Sequence, residues 1–191
     1  MNNHDELVVF TDGSALKNGQ KDCQCSSSTV WPNAEFEDKA FYLDPASTRS
    51  NNRAEFFAII KAFEQADELD PERTRTIHVY TDCQLAINTC TKWMESWKKK
   101  GWTKSSPGEI KNLDMVKILY EYYNNRTTVF THVKAHTKNT DYNSIWNDRV
   151  DKCAYAAVAR DDISHVVFDT PKPETQEISK FFKSAKKRRV G

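Results

Sequence analysis

The sequence predicts an α/β fold, a five-stranded mixed sheet flanked by helices. Three observations carry it. Five short runs of β-formers (LVVFT, STVW, KAFYL, RTIHVYT and TTVFTHV) are separated by polar stretches, and helical patterns fall only after the third of them. An amphipathic stretch separates the third run from the fourth, so the first and fourth strands form a right-handed crossover and lie parallel. Both LVVFTDGS (7–14) and IHVYTDCQ (77–84) arrive at Thr-Asp, which places Asp12 and Asp82 at one edge of the sheet.

Taken in order, LVVFT is the first strand, and Gly13 with the polar stretch behind it predicts a turn. STVW and KAFYL follow as antiparallel neighbours. Ser50 is placed as N-cap of NNRAEFFAIIKAFEQA, whose Phe56, Ile59, Ile60 and Phe63 recur at i, i+3, i+4 and i+7. After RTIHVYT, a short helix begins near CQLAINTC and helical structure runs to about Lys100. A further helix covers about Asn112 to Tyr123. TTVFTHV closes the sheet, and a last helix runs from about Asn143 to Arg160.

At 191 residues and 38% hydrophobic content, the chain fits one globular domain with a polar tail. No apolar run reaches membrane-span length, and the start MNNHDELVVF lacks the basic and apolar regions of a secretory signal. The expectation is an intracellular protein without membrane contact, nuclear if eukaryotic and otherwise cytoplasmic. The five cysteines show no zinc-ligand spacing and read as reduced thiols. Charge is unevenly placed. TKWMESWKKKGWTK (91–104) carries five Lys against one Glu, and residues 172–191 carry seven Lys and Arg against two Glu, within a chain of net charge +1. Two basic patches on an otherwise acidic body suit a polyanion, although a solvated face has the same composition.

Two further carboxylates complete a candidate set. Glu55 lies near the start of the crossover helix, beside its apolar stripe, and Asp151 lies on the last helix between the core candidates Val150 and Ala154. Singly, each of the four also reads as a helix cap, a dipole partner or a surface group. Jointly, they offer the oxygen ligands that a hard cation such as Mg²⁺ requires.

FTDGS, SNNRAEFFA, YTDCQ, VKAHT and NDRVDKCA resemble, in order and spacing, the motifs of type 1 ribonuclease H, from about Leu7 to Arg160. The resemblance implies the ribonuclease H-like fold over residues 1–165, with 166–191 as a flexible basic tail. It also implies hydrolysis of the RNA strand of RNA/DNA hybrids to 5′-phosphate and 3′-hydroxyl ends, by a monomer. Asp12, Glu55, Asp82 and Asp151 then hold two Mg²⁺ ions, with Mn²⁺ as a substitute. Asp12 bridges the pair, Glu55 and Asp82 complete one ion, and Asp151 completes the other. Two such ions roughly 4 Å apart suit an in-line phosphodiester displacement.

By the same resemblance His136 sits on a loop that assists proton transfer or product departure, a task suited to a side chain titrating near neutral pH. His132 is given no such role. Asn51 and Asn52 contact 2′-hydroxyls of the RNA strand, which Gly13 also approaches closely. Trp93, Trp97, Lys98, Lys99, Lys100 and Trp102 resemble a basic protrusion that grips the DNA strand, though Trp93 and Trp97, four residues apart, equally fit core packing. LKNGQKDCQCSSSTVWPN holds one glycine where the family has a glycine-rich hairpin. In the tail, Thr175, Ile178, Phe181 and Phe182 resemble a sliding-clamp-binding box, while KKRR also reads as a nuclear import signal. Alternatives to the hybrid endonuclease are a non-cleaving hybrid-binding or clamp-tethered scaffold, and a DNA resolvase or exonuclease on the same fold.

Overall fold

The structure is a computed structural model that describes residues 5–44, 47–137 and 139–159, and the backbone of residues 168–169. Three strands, β1 (Glu6–Leu16), β2 (Gln24–Val30) and β3 (Lys39–Leu43), form an antiparallel meander. Helix α1 (Asn51–Leu69) then crosses over to β4 (Thr76–Thr81), which pairs with β1 in parallel. Next come α2 (Gln84–Asn88), one π-helical turn (Thr89–Trp93), α3 (Met94–Lys99), α4 (Leu113–Asn125), β5 (Thr128–His132) and α5 (Tyr142–Val158). The strand order is β5-β4-β1-β2-β3, which contains the expected five-stranded mixed sheet, and a two-residue strand β6 (Phe168–Asp169) extends it in parallel beside β3. Those two residues fall within the segment expected as a tail. Among the described residues no helix is long and apolar enough to cross a membrane.

The local signals explain most of these elements. Ser50 caps α1, its hydroxyl accepting from the Arg53 amide at 3.3 Å, and Phe56, Phe57, Ile59, Ile60 and Phe63 are all buried against the sheet. Their neighbours from α4, Met115, Val116, Ile118 and Leu119, complete the main core on that face. On the other face α5 buries Val150 against Phe10, Val30 and Val133. Directional bonds hold both ends of α1: Arg53 pairs with Asp114 of α4, and the buried Arg126, just before β5, meets Asp70 at 2.9 Å and Asp67 at 3.1 Å.

One expectation fails. No turn follows Asp12: β1 continues to Leu16, pairing Asp12 with Ser28 and Gly13 with Ser27. The glycine serves packing instead. A Cβ at Gly13 would lie 2.4 Å from the Glu55 nitrogen and 2.6 Å from the Ala54 carbonyl carbon, so the missing side chain is the space into which α1 settles on β1. The turn comes later, where Lys17 and Gly19 take left-handed conformations, so the hairpin closes with its single glycine.

Gly13→Ala therefore tests how α1 is seated. Overpacking of backbone against backbone costs about 3 kcal/mol or more, so the melting temperature should fall by about 6 °C or more. A drop under about 2 °C would show that α1 can shift without penalty.

Candidate active site and metal centre

Asp12 is fixed inside β1, and Asp82 follows directly on β4, the parallel neighbour, so the two carboxylates stand side by side. Glu55, in the second turn of α1, is delivered from above through the gap at Gly13. Ligand oxygens of Asp12, Glu55 and Asp82 all lie within 4.8 Å of one another. Asp151 approaches on α5, one-third exposed and outside that triad, yet near enough for its charge to act on both Asp12 and Asp82. The capping alternative for Asp82 does not hold, because the N-cap position of α2 is Cys83 and no side chain caps that helix.

Two buried carboxylates and a half-buried one, gathered together, resist ionisation. Burial is the main cause at each, and it pushes Asp12 up to about 8, with the charges of Asp82 and Asp151 adding to it. Glu55 is raised well above the ordinary range by burial and then by Asp12 and Asp82. Asp82 is raised by burial as well, against the opposing hydrogen bond from Asn147. The Gly13 amide favours the ionised form of both Asp12 and Glu55 without offsetting these effects.

The surrounding polar groups aim at the same point. Asn51 donates to Glu55 Oε1 at 3.5 Å, while the Asn51 amide donates to Asn18 Oδ1 at 3.2 Å, which ties the β1–β2 loop to the start of α1. Asn52 stays exposed beside it. His136 has Nδ1 3.6 Å from Asp151 Oδ2, on an exposed ring whose backbone is left-handed, φ 50°. Its loop is moored by Thr137, which donates to Ser144, which in turn donates to Asp141, the N-cap of α5.

Two neighbours were not anticipated. Asn147 is 3% exposed and one helical turn before Asp151, and its amide bonds Asp82 while its Oδ1 lacks a partner among the described residues. His132, given no role from the sequence, places Nε2 3.0 Å from the Asp82 carbonyl oxygen. Only the i−4 spacing of Asn147 from Asp151 hinted at the first, and surface asparagines share that spacing freely.

The basic protrusion divides in two. Trp97 and Trp102 are partly buried against the main core, Lys98 lies 5.3 Å from the Trp102 ring centre, and Trp102 meets Tyr120 edge-on at 5.5 Å. The face of Trp102 expected to be open is thus already covered. Trp93 remains 36% exposed, turned outward by the π-helical turn, with Lys99 and Lys100 exposed on the same arm. The box at Thr175, Ile178, Phe181 and Phe182 lies outside the described residues.

A mixed sheet with helices on both faces and buried carboxylates gathered at the β1–β4 edge defines a nuclease of the acidic-cluster, metal-dependent class. The family model of RNase H matches residues 4–159, and the chain belongs to that family. It is 31% identical over 163 residues to a probable ribonuclease H of Acanthamoeba polyphaga mimivirus, covering 81% of this chain and 71% of the relative. Against human ribonuclease H1 it is 29% identical over 150 residues, covering 78% of this chain and 49% of the human protein, so it spans about half that relative's length. The solution structure of the PFV RNase H domain shares the fold, with TM-score 0.62, 21% identity, and coverage of 80% of this chain and 93% of that domain.

The residues present fit a divalent cation. Glu55 Oε2 is buried with no hydrogen-bond partner among the described residues, the three ligand oxygens are within reach of one ion, and all are hard donors. A cation would also offset the mutual repulsion that adds to the burial-driven rise of these pKa values. Without it, folding raises the Asp12 pKa, so stability is fully present below about pH 4 and is lost as pH climbs through about 8. Asp12→Asn should therefore raise the metal-free melting temperature by about 5–10 °C near pH 8, with the gain shrinking towards pH 4. A pH-independent change would contradict this electrostatic account.

Proposed function

We propose that this chain hydrolyses the RNA strand of RNA/DNA hybrids with two Mg²⁺ ions held by Asp12, Glu55, Asp82 and Asp151, leaving 5′-phosphate and 3′-hydroxyl ends. The observation that carries the reading is the cluster of buried Asp12 and Glu55 with half-buried Asp82, and Asp151 alongside it. Bound divalent ions supply an activated water and neutralise charge developing on the scissile phosphate. The protein's part is to hold its carboxylates in register, to exclude bulk water at Glu55, and to place an imidazole at the rim. His136, against Asp151 and open to solvent, suits proton transfer to the departing oxygen or release of product. A scaffold that did not cleave would gain nothing from crowding buried Asp12 and Glu55 against half-buried Asp82, where burial disfavours their charge.

Substrate contacts follow from the same frame. Asn51, held between Asn18 and Glu55, and exposed Asn52 beside it suit contacts to 2′-hydroxyls, while the RNA-strand approach at Gly13, which is buried against α1, is supported by the motif resemblance alone. Trp93, Lys98, Lys99 and Lys100 supply the exposed part of a DNA-strand grip, while Trp97 and Trp102 stiffen the arm behind them. The motif resemblance supports assignment to type 1. Thr175, Ile178, Phe181 and Phe182 would add a sliding-clamp contact, supported by their sequence pattern alone.

Cleavage of a labelled hybrid, with double-stranded DNA and double-stranded RNA as controls, tests the reading. Mg²⁺-dependent cutting of the hybrid's RNA strand only, slowed about 10³-fold or more by Asp82→Asn, is expected. Binding of hybrid with no cleavage in Mg²⁺ or Mn²⁺ would make the chain a binding module. Replacing both Lys99 and Lys100 by Ala should weaken hybrid binding about tenfold at low salt and flatten the logarithmic salt dependence by about one to two units. An unchanged slope would remove these lysines from the phosphate contacts.

A further inference from the structure

Three consecutive serines of β2, Ser26, Ser27 and Ser28, are fully buried, and each hydroxyl donates to a helix carbonyl on one side of the sheet or the other. Strand alternation sends Ser27 towards α1 and its two neighbours towards α5. Ser27 Oγ lies 2.6 Å from the Ala54 carbonyl oxygen, and Ser28 Oγ lies 2.7 Å from that of Val150. These two carbonyls belong to the peptide groups that join Ala54 to Glu55 and Val150 to Asp151. Across the ladder the same serines pair with Gly13 and Asp12. Two residues of one strand, Ser27 and Ser28, therefore touch the backbone at three of the four carboxylate-bearing positions, Glu55, Asp151 and Asp12.

We propose that Ser27 and Ser28 are positioning residues, whose hydroxyls set how far α1 and α5 slide along β2 and hence where Glu55 and Asp151 stand relative to Asp12. Apolar contacts between a helix and a sheet are non-directional and tolerate axial slip. A hydrogen bond to one named carbonyl does not. The constraint matters here because a ligand oxygen of Glu55 has to meet those of Asp12 and Asp82 within 4.8 Å, and Ser27 pins the peptide directly beside Glu55. A buried hydroxyl without such a partner would be costly, so the bonds are also what makes serine tolerable at these positions.

Ser26 provides the internal control. Its hydroxyl donates at 2.6 Å to the Ala154 carbonyl, a bond of the same kind, depth and helix, but anchored past Asp151 on a peptide that carries no carboxylate. Ser26→Ala, Ser27→Ala and Ser28→Ala each remove one buried helix-to-strand bond and should lower the melting temperature by a similar few degrees, on the order of 3 °C.

At a temperature where all are folded, Ser27→Ala and Ser28→Ala should lower kcat for hybrid cleavage about tenfold, with KM within about twofold of wild type, whereas Ser26→Ala keeps kcat. The same two variants should weaken Mn²⁺ binding about threefold or more in calorimetry without nucleic acid, and Ser26→Ala should not. The kinetic comparison rests on hybrid cleavage by the wild-type protein, while the calorimetry does not. A wild type that fails to cleave would overturn the enzymatic reading and leave the serines to be judged on Mn²⁺ affinity. Equal kcat and equal Mn²⁺ affinity across the three variants would reduce the hydroxyls to general packing and sink the proposal.

Discussion

The close approach of α1 to β1 at Gly13 is the constraint on which the rest of the site depends. With only hydrogen on that Cα, the backbone at Ala54 and Glu55 fits where a Cβ would have stood. This brings a glutamate from a helix within ligand distance of an aspartate from a strand. Everything downstream follows from that geometry. The carboxylates are crowded and buried, their pKa values rise, and the arrangement persists only because stronger constraints elsewhere hold the two elements together. Those constraints sit at both ends of α1, in the Arg53–Asp114 pair and in the buried Arg126 cluster with Asp67 and Asp70. Removing one partner from that cluster would strand a charge, which is why such networks fix geometry more than they add stability.

The site thus joins a rigid half and a looser half. Asp12, Glu55 and Asp82 are set by strand ladders, helix packing and the Asn147 hydrogen bond. Asp151 and His136 lie at the rim, with His136 largely exposed on a loop held by a short chain of hydroxyl and carboxylate contacts. Such a division suits the proposed reaction, in which the carboxylate core stays fixed while His136 moves. It also separates the basic arm, whose inner tryptophans pack on the core and whose outer residues face solvent.

Much of this was legible in the sequence because the signals were periodic or local. Five strands, the capped crossover helix and the parallel relation of β1 to β4 all followed from apolar spacing and chain order, and they placed Asp12 beside Asp82. Gly13 was misread as a turn, since a glycine after a strand-like run signals a turn as readily as a close helix contact, and only the tertiary packing separates the two. The burial of Trp102 behind Lys98 depends on Tyr120, eighteen positions away, which spacing within the arm cannot show. Asn147 and the serines of β2 were invisible for a related reason. Their partners are backbone atoms or side chains more than sixty residues distant for Asn147 and Ser28, and hydroxyls in a strand carry no pattern of their own.

The central claim is that folding forces protons onto a carboxylate cluster from which a divalent cation must displace them. Calorimetric titration of the protein with Mn²⁺ at pH 7, repeated in buffers of different ionisation enthalpy, counts those protons directly. Release of about one proton or more per protein on binding is predicted, falling towards zero in Asp12→Asn. Binding with no proton release in the wild-type protein would mean that the carboxylates are already ionised and that the cluster does not govern the site.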